Sequence, residues 1–130
     1  MLAVACVVIN ETNDKVLLRV RSGEVDSGKW EIFGSFVKED ELVRDAVLRV
    51  VLEKATVLGK EFVKSISFTG DYYDEIDRHP GKRCVPLLFE VVVSESSVES
   101  SDSLKWFEKD DALDLPLALD NEQMLIDVFE

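Results

Sequence analysis

The rhythm of apolar and polar residues changes several times along this chain, and each change marks an element. Residues 2–9, LAVACVVI, form a β-rich apolar run, and residues 15–20, KVLLRV, form another. Between them lies NETND at 10–14. Asn, Thr and Asp side chains bond to nearby backbone and tolerate turn dihedrals, so the two runs predict a hairpin. Residues 22–29, SGEVDSGK, read as loop, and WEIF as a short strand ending at Gly34. Asp40 is placed to cap a helix from about Glu41 to Thr56. Within it Leu42, Val43, Ala46, Val47, Val50 and Val51 recur at three- and four-residue steps, which puts them on one stripe.

Beyond Gly59 come EFVKSISF, the polar loop TGDYYDEIDRHPGK and the long strand RCVPLLFEVVV, in which Pro86 points to an edge or a bulge. SESSVESSDS at 94–103 reads as a solvated low-complexity loop, and LKWF as a last short strand. The remainder predicts a short turn or helix, then a helix from about Asp120. Strands flanking one central and one C-terminal helix predict a mixed α/β or α+β sandwich, with the β-sheet between α-helices. The order lacks the regular alternation of a doubly wound sheet. No internal repeat breaks the 130 residues, a length that suits one domain, 1–130, with a core needing no staples.

Composition narrows the function classes. An apolar fraction of 46% argues against disorder. No apolar run approaches the roughly 18 residues of a membrane span, so no membrane partner is expected. The opening run has no basic leader and reads as a strand rather than a signal peptide. Cys6 and Cys84 lie far apart, with neither metal nor disulfide-framework spacing. Buried free thiols in a reducing cytoplasm are their simplest account. A net charge of −12 argues against nucleic acid as the main partner, because phosphates are repelled over most of the surface. By the same reasoning an anionic ligand needs a local basic patch or a bound cation.

The chemistry-bearing stretch is residues 34–57, GSFVKEDELVRDAVLRVVLEKATV. A glycine turn and an acidic loop lead to Glu41, then a seven-residue gap, Arg49 and Glu53. This resembles the Nudix box, which reads Gly, five residues, Glu, seven residues, Arg-Glu-apolar-x-Glu-Glu-x-Gly-apolar. The hairpin sequence VVINETNDKVLLRVRSG, the approach GKWEIFGSF and the later strands and last helix are also similar to that family, closest to its ADP-ribose pyrophosphatase branch. The resemblance implies a Nudix fold and hydrolysis of nucleoside diphosphate derivatives with Mg²⁺ or Mn²⁺. It also implies that the Gly34 carbonyl and the Glu53 carboxylate are metal ligands, that Arg49 braces the acidic loop, and that Glu41 is the acid before the helix.

The departures from the box bear on mechanism. Family carboxylates at the positions of Val50, Glu53 and Lys54 stack on one helix face, hold hard cations and so activate water. Here one is apolar and one is a cation, while Ser35, Thr56 and Phe33 replace the box's two glycines and the preceding proline. A lysine beside a divalent cation is repulsive by about a few kcal/mol at a surface-like dielectric. The usual multi-metal mechanism is therefore expected to be weakened or absent, unless Asp45 or the acids Asp71, Asp74, Glu75 and Asp77 substitute. Alternatively, the Lys54 ammonium takes the place of a metal and pairs directly with a diphosphate, with no cofactor. Arg21 and Arg78 are the best phosphate-contact candidates, because arginine forks onto phosphate oxygens; the alternative for each is a solvated face. Trp30 and Trp106 read as packing anchors, and His79 has no triad partner nearby. Three functions stay open: a weakened Mg²⁺-dependent pyrophosphohydrolase, a silent nucleotide-binding or regulatory module, and a structural domain without ligand. Each leaves room for a homodimer.

Overall fold

The computed structural model of the chain describes residues 2–22, 26–71 and 85–130. In those residues seven strands form one sheet: β1 (Leu2–Asn10), β2 (Lys15–Val20), β3 (Trp30–Glu31), β4 (Phe33–Phe36), β5 (Val63–Asp71), β6 (Val85–Val93) and β7 (Leu104–Glu108). Three α-helices accompany them: α1 (Val43–Glu53), α2 (Lys109–Leu113) and α3 (Asn121–Phe129). No helix among the described residues is long and apolar enough to cross a membrane.

The expected hairpin forms. Asn10, buried at its turn, accepts hydrogen bonds at Oδ1 from the Asp14 and Lys15 N–H groups and donates from Nδ2 to Asp14 and Glu95. The two strands stay paired only at Val8–Leu17 and Ile9–Val16. One edge of β1 runs parallel to β6 along its whole length, and one edge of β2 takes β7. The edges that face each other then diverge, and the β3–β4 segment fills the fork. β4 pairs with Ala3–Cys6 of β1, and β3 pairs with Arg19 and Val20 of β2.

Alternation along β1 builds both layers, since successive strand side chains face opposite ways. Val4, Cys6 and Val8 pack with Leu17, Phe33 and the α1 stripe Ala46, Val47, Val50 and Val51. Ala5, Val7 and Ile9 pack with Leu18, Leu88 and the C-terminal residues Ala112, Met124, Leu125 and Val128. The sheet thus lies between α1 and the C-terminal helices. Burial alone stabilises each of these large side chains by about 1.5–3 kcal/mol.

Several expectations are corrected. The helix is shorter than 41–56, and Leu42, 71% exposed, lies outside its buried stripe. Asp40 is not its cap. The N-cap position is Leu42, without a side-chain cap, and Glu41 instead accepts from the Lys38 N–H. The WEIF strand breaks at Ile32 and resumes through Gly34 to Phe36. Pro86 pairs with Ala3 of β1; β6 lies between β1 and β5, but the described β5 pairing stops at Leu87, one residue short of Pro86, with a register shift at Phe68 and Gly70. The 94–103 segment is not wholly solvated: Ser97 and Val98 are buried, with Ser97 Oγ donating to the Ser94 carbonyl at 2.6 Å. Trp30 meets Phe107 edge-on at 4.9 Å and Trp106 packs on the α1-side core, as anchors would.

Candidate functional site

A cavity of about 280 Å³ opens where the sheet forks. Its cationic groups come from two places. Arg19 on β2 and Arg21 just beyond its end both reach Glu31 and line the cavity, while Lys54 follows directly after α1. Glu31 is the one carboxylate in the described lining. Three cations against one acid give the cleft a positive balance inside a chain of net charge −12.

Glu31 lies across from Arg19 in the β2–β3 pairing. The Arg19 Nε donates to one of its oxygens at 2.9 Å and the Arg21 Nη1 to the other at 2.8 Å. With a side chain only 9% exposed, Glu31 needs such partners. The fork of bonds spreads the two guanidinium groups along the cleft wall. The Arg19 terminal nitrogens have no hydrogen-bond partner among the described residues, and its guanidinium lies 5.6 Å from the centre of the Phe33 ring.

Lys54 reaches back across the floor, where its Nζ donates to the Gly34 carbonyl at 2.6 Å. A charge-assisted bond of this kind contributes about 1.5–3 kcal/mol. Glycine at 34 serves the close strand approach, because a Cβ there would stand 3.0 Å from the Val4 carbonyl oxygen. Burial, and next the charges of Arg19 and Arg49, push the Lys54 ammonium below the usual lysine range. One of its three N–H donors is committed to Gly34, and the other two have no described protein partner. Burial raises the Cys6 thiol to about 12, so that residue is an inert core group.

Arg49 braces the approach loop. Its Nε and Nη2 donate to the two Glu41 oxygens at 2.9 and 3.0 Å, Nη2 also to the Phe36 carbonyl at 3.0 Å, and Nη1 to Ser35 Oγ at 3.2 Å. Through Arg49, the Glu41 carboxyl is held down to about 2. Glu41 and Arg49 form an ion pair that shapes the loop, and neither lines the cavity. Glu53 and Asp45 are exposed and outside it. Lys54, Gly34 and Arg21 are the sequence candidates that the cleft brings together. Arg78, His79, Cys84 and the acids Asp74, Glu75 and Asp77 lie outside the described residues.

These groups do not fit a divalent cation. The Gly34 carbonyl, the expected metal ligand, already accepts from an ammonium. A doubly charged ion about 4 Å from that ammonium is repelled by about 8 kcal/mol at an effective dielectric near 20. No cluster of three or more metal-ligating side chains occurs among the described residues. The arrangement instead suits an anion, which can take N–H donors from Lys54 and Arg19 at once.

Arg19, Glu31 and Asn121, which lines the cavity with its Oδ1 accepting from the Ile32 N–H at 2.9 Å, carry no motif in the sequence. The alternation of Arg19 and Arg21 in LRVRSG was a readable signal for a shared face. Glu31 and Asn121 depend on pairings between distant segments.

Comparison with known proteins adds to this geometry. The NUDIX domain family description matches residues 1–128. An ADP-ribose pyrophosphatase of Methanocaldococcus jannaschii is 32% identical over 126 residues, covering 96% of this chain and 72% of that one. The NUDIX domain of Shewanella oneidensis NrtR, solved with ADP ribose, superposes with a TM-score of 0.77 at 26% identity, covering 98% of this chain and 85% of that one. NrtR has also been solved with a 27mer DNA; that structure gives a TM-score of 0.78 at 27% identity, and the match covers 97% of this chain and 59% of that one.

Proposed function

The chain belongs to the Nudix family, and on that premise we propose that it binds a nucleoside diphosphate derivative of the ADP-ribose kind without a divalent cation, turning it over weakly or not at all. The observation that carries this reading is the Lys54 Nζ on the Gly34 carbonyl. That ammonium supplies in cis the positive charge that a metal would bring, so a diphosphate is neutralised by fixed side chains. Arg19, Arg21 and Lys54 contact the phosphates. Glu31 orients the two arginines, and Arg49 with Glu41 holds the loop behind Gly34. A buried free thiol at Cys6 supports a reducing compartment such as the cytoplasm.

Calorimetric titration with ADP-ribose in EDTA tests it. Binding is expected to survive the chelator, and Lys54→Met to weaken it at least about tenfold, on the scale of one lost charge-assisted bond. Loss of binding on chelation would sink the reading. A second reading, a Mg²⁺-dependent pyrophosphohydrolase, is favoured by the 32% identity to a protein named ADP-ribose pyrophosphatase. It requires rapid AMP release from ADP-ribose with Mg²⁺ or Mn²⁺, whereas slow release or none is expected for the unaltered chain. Nucleic acid is not proposed as a partner. The DNA complex is that of a protein only 59% covered by the match, and this chain's net charge of −12 opposes such contact.

A further inference from the structure

Leu119, which lines the cavity, has a backbone that leucine rarely adopts: its φ is 50°, in the left-handed region. It is the first central residue of a turn closed by the Asn121 N–H on the Ala118 carbonyl at 3.1 Å. The second central residue, Asp120, has φ −99°. A turn of that sign pattern takes glycine, asparagine or aspartate at its first central position. A leucine there is strained, because its Cβ crowds the following carbonyl oxygen. Such strain persists only where the surroundings enforce it. Leu115 and Leu117 pack on the core cluster that holds α3, whereas Leu119 is committed to the cavity wall.

The enforcing bond comes from a distant part of the chain. The Leu119 N–H donates to Asp26 Oδ2 at 2.9 Å, and the other oxygen of that carboxyl faces Lys29 Nζ at 3.2 Å. The Leu119 N–H first, and then Lys29, hold the Asp26 carboxyl below its ordinary range. The acceptor is therefore a carboxylate, which strengthens the bond. Asp26 is itself left-handed, at φ 56°, a conformation aspartate tolerates far better than leucine. It is fixed to the stretch that carries Arg21. The Arg21 N–H donates to the Lys29 carbonyl at 2.8 Å, the Gly28 N–H to the Arg21 carbonyl at 2.9 Å and the Lys29 N–H to the Asp26 carbonyl at 3.2 Å. Just before Leu119, the Ala118 N–H is held by the Trp30 carbonyl at 2.9 Å. Arg21 and Leu119 line one cavity, and the Asp26 carboxylate ties their two segments together.

We propose that Asp26 is a positioning residue that clamps the Leu119 backbone in its strained conformation and so presets one wall of the cleft for the ligand. This rests on the nucleotide-binding reading above and deepens it by assigning what holds the cleft ready before the ligand arrives. A wall fixed in advance spares the ligand the ordering cost that a loose one imposes.

The test compares Asp26→Ala, which removes both charge and acceptor, with Asp26→Asn, which removes the charge but leaves an oxygen for the Leu119 N–H. Loss of a negative charge that acts on Arg21 would by itself favour an anion, so electrostatics alone predicts tighter binding in both. Affinity for ADP-ribose is measured by calorimetry, at a temperature where the unfolding curve of each variant shows it folded. Asp26→Ala is expected to weaken binding about tenfold, the scale of one hydrogen bond, and Asp26→Asn by less than about threefold. Glycine adopts the left-handed backbone unaided, so in a Leu119→Gly chain the further change Asp26→Ala is expected to cost less than about twofold. Unchanged or tighter binding in Asp26→Ala overturns the positioning role and leaves the nucleotide-binding reading standing. An equal loss in Asp26→Asn overturns it in favour of the charge beside Lys29. A tenfold loss that persists in the Leu119→Gly chain shows that Asp26 does not act through Leu119, and overturns it too. If the unaltered chain does not bind ADP-ribose, the underlying reading fails and this inference with it.

Discussion

Val50, Lys54 and Thr56 stand where the family box has glutamate, glutamate and glycine, and each shows its consequence at its own side chain. Val50 is fully buried among Val4, Cys6 and Val91. Restoring the box with Val50→Glu would place an unpaired carboxylate in that core, and is expected to cost about 3–5 kcal/mol, read by chemical denaturation. Thr56 adopts φ 57°, the left-handed region, where a branched Cβ crowds the backbone. Thr56→Gly relieves that strain but adds freedom to the unfolded chain. The relief is the larger effect for a β-branched residue, and a net gain of about 1 kcal/mol is expected in the denaturant midpoint.

At the scale of elements, α1 and its approach loop behave as one unit because Arg49 ties them together. The Glu41 carboxyl is depressed in the fold to about 2 from an ordinary 4.5. A depressed acid stabilises the fold above its unfolded value, and that contribution fades as pH falls from about 4.5 to about 2. In Glu41→Gln, stability is expected to decline less steeply across that window, measured by urea midpoints at stepped pH. An identical slope would show that the pair contributes nothing.

The same elements show how far sequence reaches. The hairpin and the helix stripe were legible because their signals are local: turn residues at 10–14 and apolar steps from Val43 to Val51. The helix ends were not, since Glu41 is drawn to Arg49 and Lys38 rather than leaving Asp40 to cap. Burial of Ser97 and Val98 depends on packing against distant strands, which serine-rich composition hides. Lys54 was legible as a misplaced cation, but its hydrogen bond to Gly34 needed the α1–β4 geometry. Arg19 and Glu31 become a pair only once β2 and β3 are known to be neighbours.

For the whole molecule, charge of both signs is partitioned. The surface field of a −12 body opposes an approaching diphosphate, while the cleft attracts it at short range. At about 10 mM salt the screening length is about 30 Å and the whole body is felt; at about 0.1 M it is about 10 Å and the cleft dominates. The association rate for ADP-ribose is therefore expected to rise over that range in stopped-flow measurements, opposite to the behaviour of a steered anion. A rate that falls instead would place the ligand elsewhere than in this cleft.

The forked sheet has a consequence for how occupancy and unfolding are linked. Arg19, Gly34, Lys54 and Asn121 are gathered from stretches that meet only after β3–β4 has closed between the hairpin strands. A bound guest therefore bridges elements from across the whole fold rather than a peripheral flap. Its presence should accordingly lengthen the lifetime of the slowest-exchanging backbone amides of β1, those released only when the entire chain opens.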